Sequence, residues 1–215
     1  MSVAVKICGI STFEALDAAA EAGADWVGFN FFPPSPRYVD IAMAASLARR
    51  VPAGIGSVGL FVGPTDEEIG AVLEAVPLDV LQVYAASGRC AAIRNRFGRP
   101  VWRAIGIGSA ADLPTGLEGC DRLVLEAKPP QGANRPGGNA ARFDWSILAG
   151  WRVPGPWILA GGLRPGNVAE AIRATGATAV DVSSGVEGTD GRKDPALIRA
   201  FVAASRAAPP GAGRD

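Results

Sequence analysis

Short runs of Val, Ile, Leu and Phe recur along the chain and alternate with longer stretches in which alanine and polar residues mix at helix-compatible spacing. That alternation is the pattern of βαβ units around a parallel sheet. It predicts strands at Val3–Ile7, Trp26–Phe29, Ser57–Phe61, Val80–Gln82, Val101–Ile105, Arg122–Leu125, Trp157–Leu159 and Ala179–Val182. Helices are expected at Thr12–Ala22, Ile41–Arg50, Asp66–Val76, Asn167–Thr175 and Pro195–Ala208. Ser11-Thr12-Phe13-Glu14 resembles a capping box, and Thr65 stands before Asp66, Glu67 and Glu68, where a helix dipole favours acids. About eight βα units in 215 residues suit an α/β fold of one kind, a single (β/α)₈ barrel with a closed parallel eight-stranded sheet and outer helices. A doubly wound open sheet is the structural rival. Residues 1–206 are expected to form the barrel domain and 207–215, with its Pro-Pro-Gly-Ala-Gly run, a frayed tail.

Composition narrows the function. At 48% hydrophobic residues the chain can bury a substantial core, and its 21 basic and 21 acidic residues balance. Nothing supplies the basic footprint of a protein that binds nucleic acid or anionic lipid, so a small molecule is the expected partner, and no protein partner is indicated. The start MSVAVKICGI lacks the features of a signal peptide, and no apolar run is long enough to span a bilayer, so a cytoplasmic protein is expected. Cys8, Cys90 and Cys120 are too few and too scattered for a disulfide framework or a thiolate zinc site. With no histidine, the commonest general base and transition-metal ligand are both missing. No metal is expected, and catalysis must run on carboxylates, cysteine or lysine.

In a barrel the active site is built where strands end at the C-terminal face. Cys8 leaves the first strand into a glycine turn, although most free cysteines act as small buried hydrophobes. Arg37 sits in the proline-stiffened run Pro33-Pro34-Ser35-Pro36, which would hold a guanidinium in place for a carboxylate or phosphate. Glu126 ends an apolar strand, where an unpaired charge is costly, and a salt bridge to Lys128 or Arg122 is its plainer explanation. Gly161-Gly162 and Ser184-Gly185 follow the seventh and eighth strands, where backbone N–H groups converge on an anion in many barrels. The Gly/Pro/Asn-rich stretch Lys128–Arg142 is long enough to be a lid or binding loop.

Taken in order, Lys6-Ile7-Cys8-Gly9-Ile10, Ser35-Pro36-Arg37, Leu159-Ala160-Gly161-Gly162-Leu163, Asn167-Val168, Asp181-Val182-Ser183-Ser184-Gly185-Val186-Glu187 and Lys193-Asp194 resemble the phosphoribosylanthranilate isomerase family of tryptophan synthesis, from about Val5 to Phe201. The resemblance implies a TIM-barrel enzyme that performs an Amadori rearrangement of a phosphosugar without a metal or organic cofactor. It implies Cys8 as general base and Glu126 as general acid. It places Arg37 on the anthranilate carboxylate, Gln82 at the end of the fourth strand, and Gly138, Gly161, Gly162, Ser184 and Gly185 about the substrate and its phosphate.

The chain departs from the family pattern at three places. Glu126 stands where the family has aspartate, one methylene shorter. Val83-Tyr84-Ala85 replaces Leu-His-Gly after Gln82, and Gly137-Gly138-Asn139-Ala140 lacks the last glycine of Gly-Gly-x-Gly. These changes leave open a related isomerase with another phosphosugar substrate, or a phosphosugar-binding barrel without turnover.

Overall fold

The structure is a computed structural model and describes residues 2–129, 132, 136–137 and 144–208. Its eight strands are all parallel, in the order β1 (Ala4–Cys8), β2 (Trp26–Asn30), β3 (Gly56–Val62), β4 (Val80–Tyr84), β5 (Val101–Ile107), β6 (Arg122–Ala127), β7 (Trp157–Leu159) and β8 (Ala179–Val182). Pairing of Ala4 with Ala179 through Ile7 with Val182 joins β1 to β8 and closes the barrel, which excludes the open-sheet rival. The outer elements among the described residues are α1 (Phe13–Glu21), α2 (Ile41–Ala48), α3 (Asp66–Ala75), α4 (Ser87–Phe97), α5 (Val168–Thr175) and α6 (Pro195–Ala207). The even run of eight βα units expected from the pattern is interrupted twice. Among the described residues, 3₁₀ turns, Ala110–Asp112 and Trp145–Leu148, stand after β5 and β6 in place of helices.

Local chemistry explains most boundaries. Thr65 and Glu68 form a reciprocal capping box that starts α3, and Asp194 caps α6 ahead of Pro195. The start of α1 is simpler than expected, because Thr12 accepts from the Ala15 N–H and no carboxylate reaches back, Glu14 lying one position too early. α4 escaped the pattern. Its N-cap is Ala86 without a side-chain cap, and it buries only Cys90 and Ile93 beneath an arginine-rich outer face.

Alternation along each strand sends one set of side chains out to the helices and the other into the barrel. Val58, Val80, Trp102, Ala104, Val124, Ile158 and Ala179 fill the interior as a separate apolar cluster. At its N-terminal end Trp26 meets Trp102 edge to face, centroids 5.2 Å apart, and the Arg122 guanidinium lies 4.9 and 5.0 Å from the two rings. Arg122 therefore belongs to the closed end of the barrel and is no partner for Glu126. Polar side chains collect at the other end.

Candidate active site

The C-terminal strand ends surround a cavity of about 750 Å³, counted out to its mouth. Cys8 enters it from β1, Gln82 and Tyr84 from β4, Glu126 from β6 and Asp181 from β8, while Arg37 and the two glycine turns form its rim. Of the expected site residues, Cys8, Arg37, Gln82, Glu126, Gly161, Gly162 and Ser184 line this one space. Gly185 does not, and Gly138 lies outside the described residues, as do Asn139 and Ala140.

Cys8 faces inward because it is two residues on from Lys6, itself inward and fully buried. Gly28 on the neighbouring strand makes room for both, since a Cβ there would lie 3.1 Å from the Cys8 Sγ and 3.3 Å from the Lys6 Cε. The Lys6 ammonium donates to Asp181 Oδ1 at 3.0 Å. Burial disfavours the Lys6 charge, yet Asp181 and Cys8 outweigh it and hold its pKa above the ordinary range. Burial also pushes the Cys8 thiol up, and the pull of Lys6 in the other direction does not cancel it. The small depression that thiolate formation at neutral pH would need is thus reversed in this structure.

Arg37 is held more firmly than a stiff loop alone would hold it. Asn30 and Ser35, both buried, knit the turn together: the Asn30 amide donates to Ser35 Oγ at 3.1 Å, and the Phe32 and Arg37 N–H groups donate to the Asn30 and Ser35 side chains. Gly9, at φ +79°, lets the arginine stem cross the exit of β1, where a Cβ would come within 2.8 Å of Arg37 Cδ. Arg37 then donates through Nε and Nη2 to the two oxygens of Glu187 at 2.5 and 2.9 Å. Glu187 also accepts from Lys193 at 2.7 Å, and Lys193 donates to the Ser183 carbonyl at 2.9 Å. Burial works against the Glu187 charge, but the arginine and lysine bonds prevail and lower its pKa. Glu187 and Lys193 of the recognised motif thereby tie the arginine to the turn after β8.

Glu126 closes β6 facing inward and is 7% exposed. Its Oε1 accepts a hydrogen bond from the Tyr84 hydroxyl. Neither salt-bridge partner considered from the sequence is used, because Lys128 turns outward to Asp112 at 3.4 Å and Arg122 is at the far end. Gly137 lies over the Tyr84–Glu126 pair, and a Cβ there would run into both the Glu126 Oε2 and the Tyr84 oxygen. Gln82 is fully buried, and its carboxamide nitrogen and oxygen have no hydrogen-bond partner among the described residues. A buried, unpaired amide lining a cavity is a costly arrangement that a bound molecule would relieve.

The glycine turns are shaped by close backbone approach. Gly161 and Gly162 both take positive φ, and a Cβ on Gly161 would lie 2.5 Å from the Ala127 nitrogen. Gly185 sits in the 3₁₀ turn Ser184–Val186 and presses on the Leu163 carbonyl so closely that a side chain would collide with it. It locks the two turns together while Ser184 faces the cavity. Sequence reasoning passed over Lys6 and Asp181, whose signal was a charge at an inward-facing, period-two position within an apolar strand.

Proton-carrying side chains gathered at the C-terminal strand ends, above an apolar cluster in the barrel interior, are the arrangement of a barrel enzyme that works by proton transfer. The family model for N-(5'-phosphoribosyl)anthranilate (PRA) isomerase matches residues 5–204, and the chain belongs to that family. It is 57% identical over 203 residues to the N-(5'-phosphoribosyl)anthranilate isomerase of Acidiphilium cryptum, covering 94% of this chain and 98% of the relative. It is 52% identical to that of Granulibacter bethesdensis, covering 96% and 99%. Among solved structures, monomers generated from the dimeric phosphoribosylanthranilate isomerase of Thermotoga maritima match with a TM-score of 0.81 at 34% identity, covering 94% of this chain and 98% of that one. A phosphoribosylanthranilate isomerase in complex with reduced 1-(o-carboxyphenylamino)-1-deoxyribulose 5-phosphate matches with a TM-score of 0.79 at 32% identity, covering 94% and 98%.

Proposed function

We propose that this chain converts N-(5-phosphoribosyl)anthranilate to 1-(2-carboxyphenylamino)-1-deoxyribulose 5-phosphate through Cys8 and Glu126, with the barrel as the catalytic domain; α6 runs to Ala207 and Ala208 is buried, so that domain reaches past the expected boundary at residue 206. The observation that carries the reading is the convergence of a thiol on β1 and a carboxyl on β6 upon one cavity whose rim holds Arg37 and two glycine turns. The complexed relative shows a family member holding a reduced product of this kind.

Glu126 gives its proton to the furanose oxygen as the C1–O bond breaks, leaving a Schiff base between C1 and the anthranilate nitrogen. Cys8 then removes the proton from C2, and the C2 electron pair flows into the C1–N unit to give an enolamine. The enolamine tautomerises to the 2-ketone. Electrons and protons balance without an external acceptor, so the reaction calls for no metal or organic cofactor. Arg37 meets the anthranilate carboxylate, Gln82 gains the partners its amide lacks, and Gly161, Gly162 and Ser184 take the phosphate, with Gly138 contributing from the long loop. Its small-molecule substrate and biosynthetic family fit a cytoplasmic enzyme that binds neither nucleic acid nor membrane; no helix among the described residues is long and apolar enough to cross a membrane.

Rescue of a tryptophan auxotroph lacking this isomerase, together with turnover of the purified substrate, tests the reading. Growth that depends on Cys8 supports it. A purified, folded protein that binds the phosphosugar but does not turn it over overturns it in favour of a binding-only barrel.

A further inference from the structure

A glutamate carboxyl hangs on three rotatable bonds, so it needs an external constraint to stay in one place. The barrel supplies that constraint across an intervening strand. Tyr84 and Glu126 stand on β4 and β6; of the inward-facing residues of β5 between them, Trp102 packs on Trp26 at the N-terminal end, and toward the site only Ala104 and Gly106 follow, Gly106 being the register partner of Glu126. With no bulk in the way, the phenol spans β5 and donates to Glu126 Oε1. Gly137 covers the pair from above with no room for a side chain. Reach, bond and cover are independent features of β4, β5 and the loop after β6, and all three serve the same carboxyl.

We propose that Tyr84 is a positioning residue for the isomerisation: its hydroxyl fixes the Glu126 carboxyl toward the cavity and stabilises the carboxylate left when the proton passes to the sugar. The inference rests on Glu126 being the general acid. Burial foremost, and then the neighbouring Glu126 charge, pushes the Tyr84 phenol well above its ordinary range, so it stays a neutral donor and the transferred proton comes from the carboxyl. Among the described residues the other titratable groups facing this end are Cys8, Asp181 and Arg37, with Lys6 and Lys193 behind them. The donor to Oε1 is the phenol rather than any of these.

The test compares Tyr84→Phe, Glu126→Gln and the double variant in kcat, KM and the pH profile of kcat/KM with N-(5-phosphoribosyl)anthranilate. Loss of one hydrogen bond to a charged group should lower kcat of Tyr84→Phe roughly ten- to a hundredfold, with KM little changed. The pH limb that Glu126→Gln abolishes should move to higher pH in Tyr84→Phe, because the carboxylate loses a bond that favours it. The double variant should be no slower than Glu126→Gln. Site-specific 3-fluorotyrosine at position 84, a stronger donor of nearly the same size, should move that limb the other way. Parental kcat in Tyr84→Phe, an unmoved limb, or losses that multiply fully in the double variant would overturn the positioning role while leaving the acid assignment intact. Parental turnover in Glu126→Gln would instead remove the acid assignment, and the positioning role with it.

Discussion

Arg37 and Glu187, 150 residues apart in the chain, meet in a two-toothed ion pair in which each side chain is about one-tenth exposed. The carboxylate thus occupies the same planar edge of the guanidinium that a carboxylate ligand would choose, and it presents the remaining edge in a fixed direction. Removing one partner of a buried pair leaves the other charge uncompensated, which costs on the order of 3–5 kcal/mol. Glu187→Gln should therefore lower the melting temperature clearly and raise KM through a misdirected Arg37. The pH dependence has a definite sign. Glu187 has a depressed pKa in the folded state, so its contribution is present above the unfolded carboxyl pKa and is lost as pH falls through the folded value. Acid unfolding should be shallower in Glu187→Gln, as followed by thermal melts across the acid range. An acid-side slope equal to that of the parent would show that the pair contributes nothing to folding.

Cys8 should be separable from the other two thiols by function. Cys8→Ser should fold and lose nearly all turnover, since a hydroxyl is too weak a base near neutral pH without a further activating group. Cys90 and Cys120 are buried away from the cavity, so Cys90→Ala and Cys120→Ala should keep their turnover at temperatures where they remain folded. Because burial raises the Cys8 thiol above its ordinary value, the thiolate fraction should still be climbing beyond the usual thiol range. Alkylation that protects with product and follows that rise would report it. Equal loss of turnover in all three variants would remove the special place given to Cys8.

The groups that were legible in the sequence are those announced by a strand end or a turn: Cys8 before Gly9, Glu126 after an apolar run, Arg37 among prolines and the paired glycines. Their partners were not. Lys6 with Asp181, Arg37 with Glu187 and Tyr84 with Glu126 join residues 175, 150 and 42 positions apart; closure of the barrel brings the first two pairs together, and the β4–β5–β6 ladder the third. The strands were found because burial on both faces leaves continuous apolar runs, and β3 to β6 merely extend further toward the site than those runs suggested. α4 was missed for the opposite reason. A helix that buries two side chains and turns arginines to water leaves little periodic signal.

Alkaline stability should expose the second buried thiol. Burial foremost pushes Cys90 from 9.0 to about 11, against a weaker opposing pull from Arg103. Between those values the unfolded chain has released a proton that the folded chain still holds, so folding stability falls as pH rises. Its contribution is intact below 9.0 and lost through about 11. Melting temperatures over that window should decline less steeply in Cys90→Ala than in the parent. The slope should shrink without vanishing, because Cys8 and Cys120 are raised in the same direction. An unchanged slope would mean that the Cys90 thiol titrates freely in the folded protein.

Glu126→Asp asks whether the site has been rebuilt around the longer acid. Shortening the side chain withdraws the carboxyl by roughly one C–C bond, about 1.5 Å. That displacement breaks the bond from Tyr84 and leaves a gap beneath Gly137, the residue whose missing Cβ makes room for the present carboxyl. A misplacement of about 1 Å in a reacting group can cost on the order of 100-fold in rate. Turnover should therefore fall in Glu126→Asp even though the family resemblance led to an expectation of aspartate here, and kcat should fall more than KM rises. Glu126→Gln should lose roughly 10²–10⁴-fold, the worth of one acid–base group, since an amide cannot deliver the carboxylic proton. The two variants then separate geometry from chemistry. An aspartate that raises turnover would mean that Tyr84 and Gly137 have not been fitted to the glutamate, and the arrangement around Oε1 and Oε2 would have to be read as packing alone.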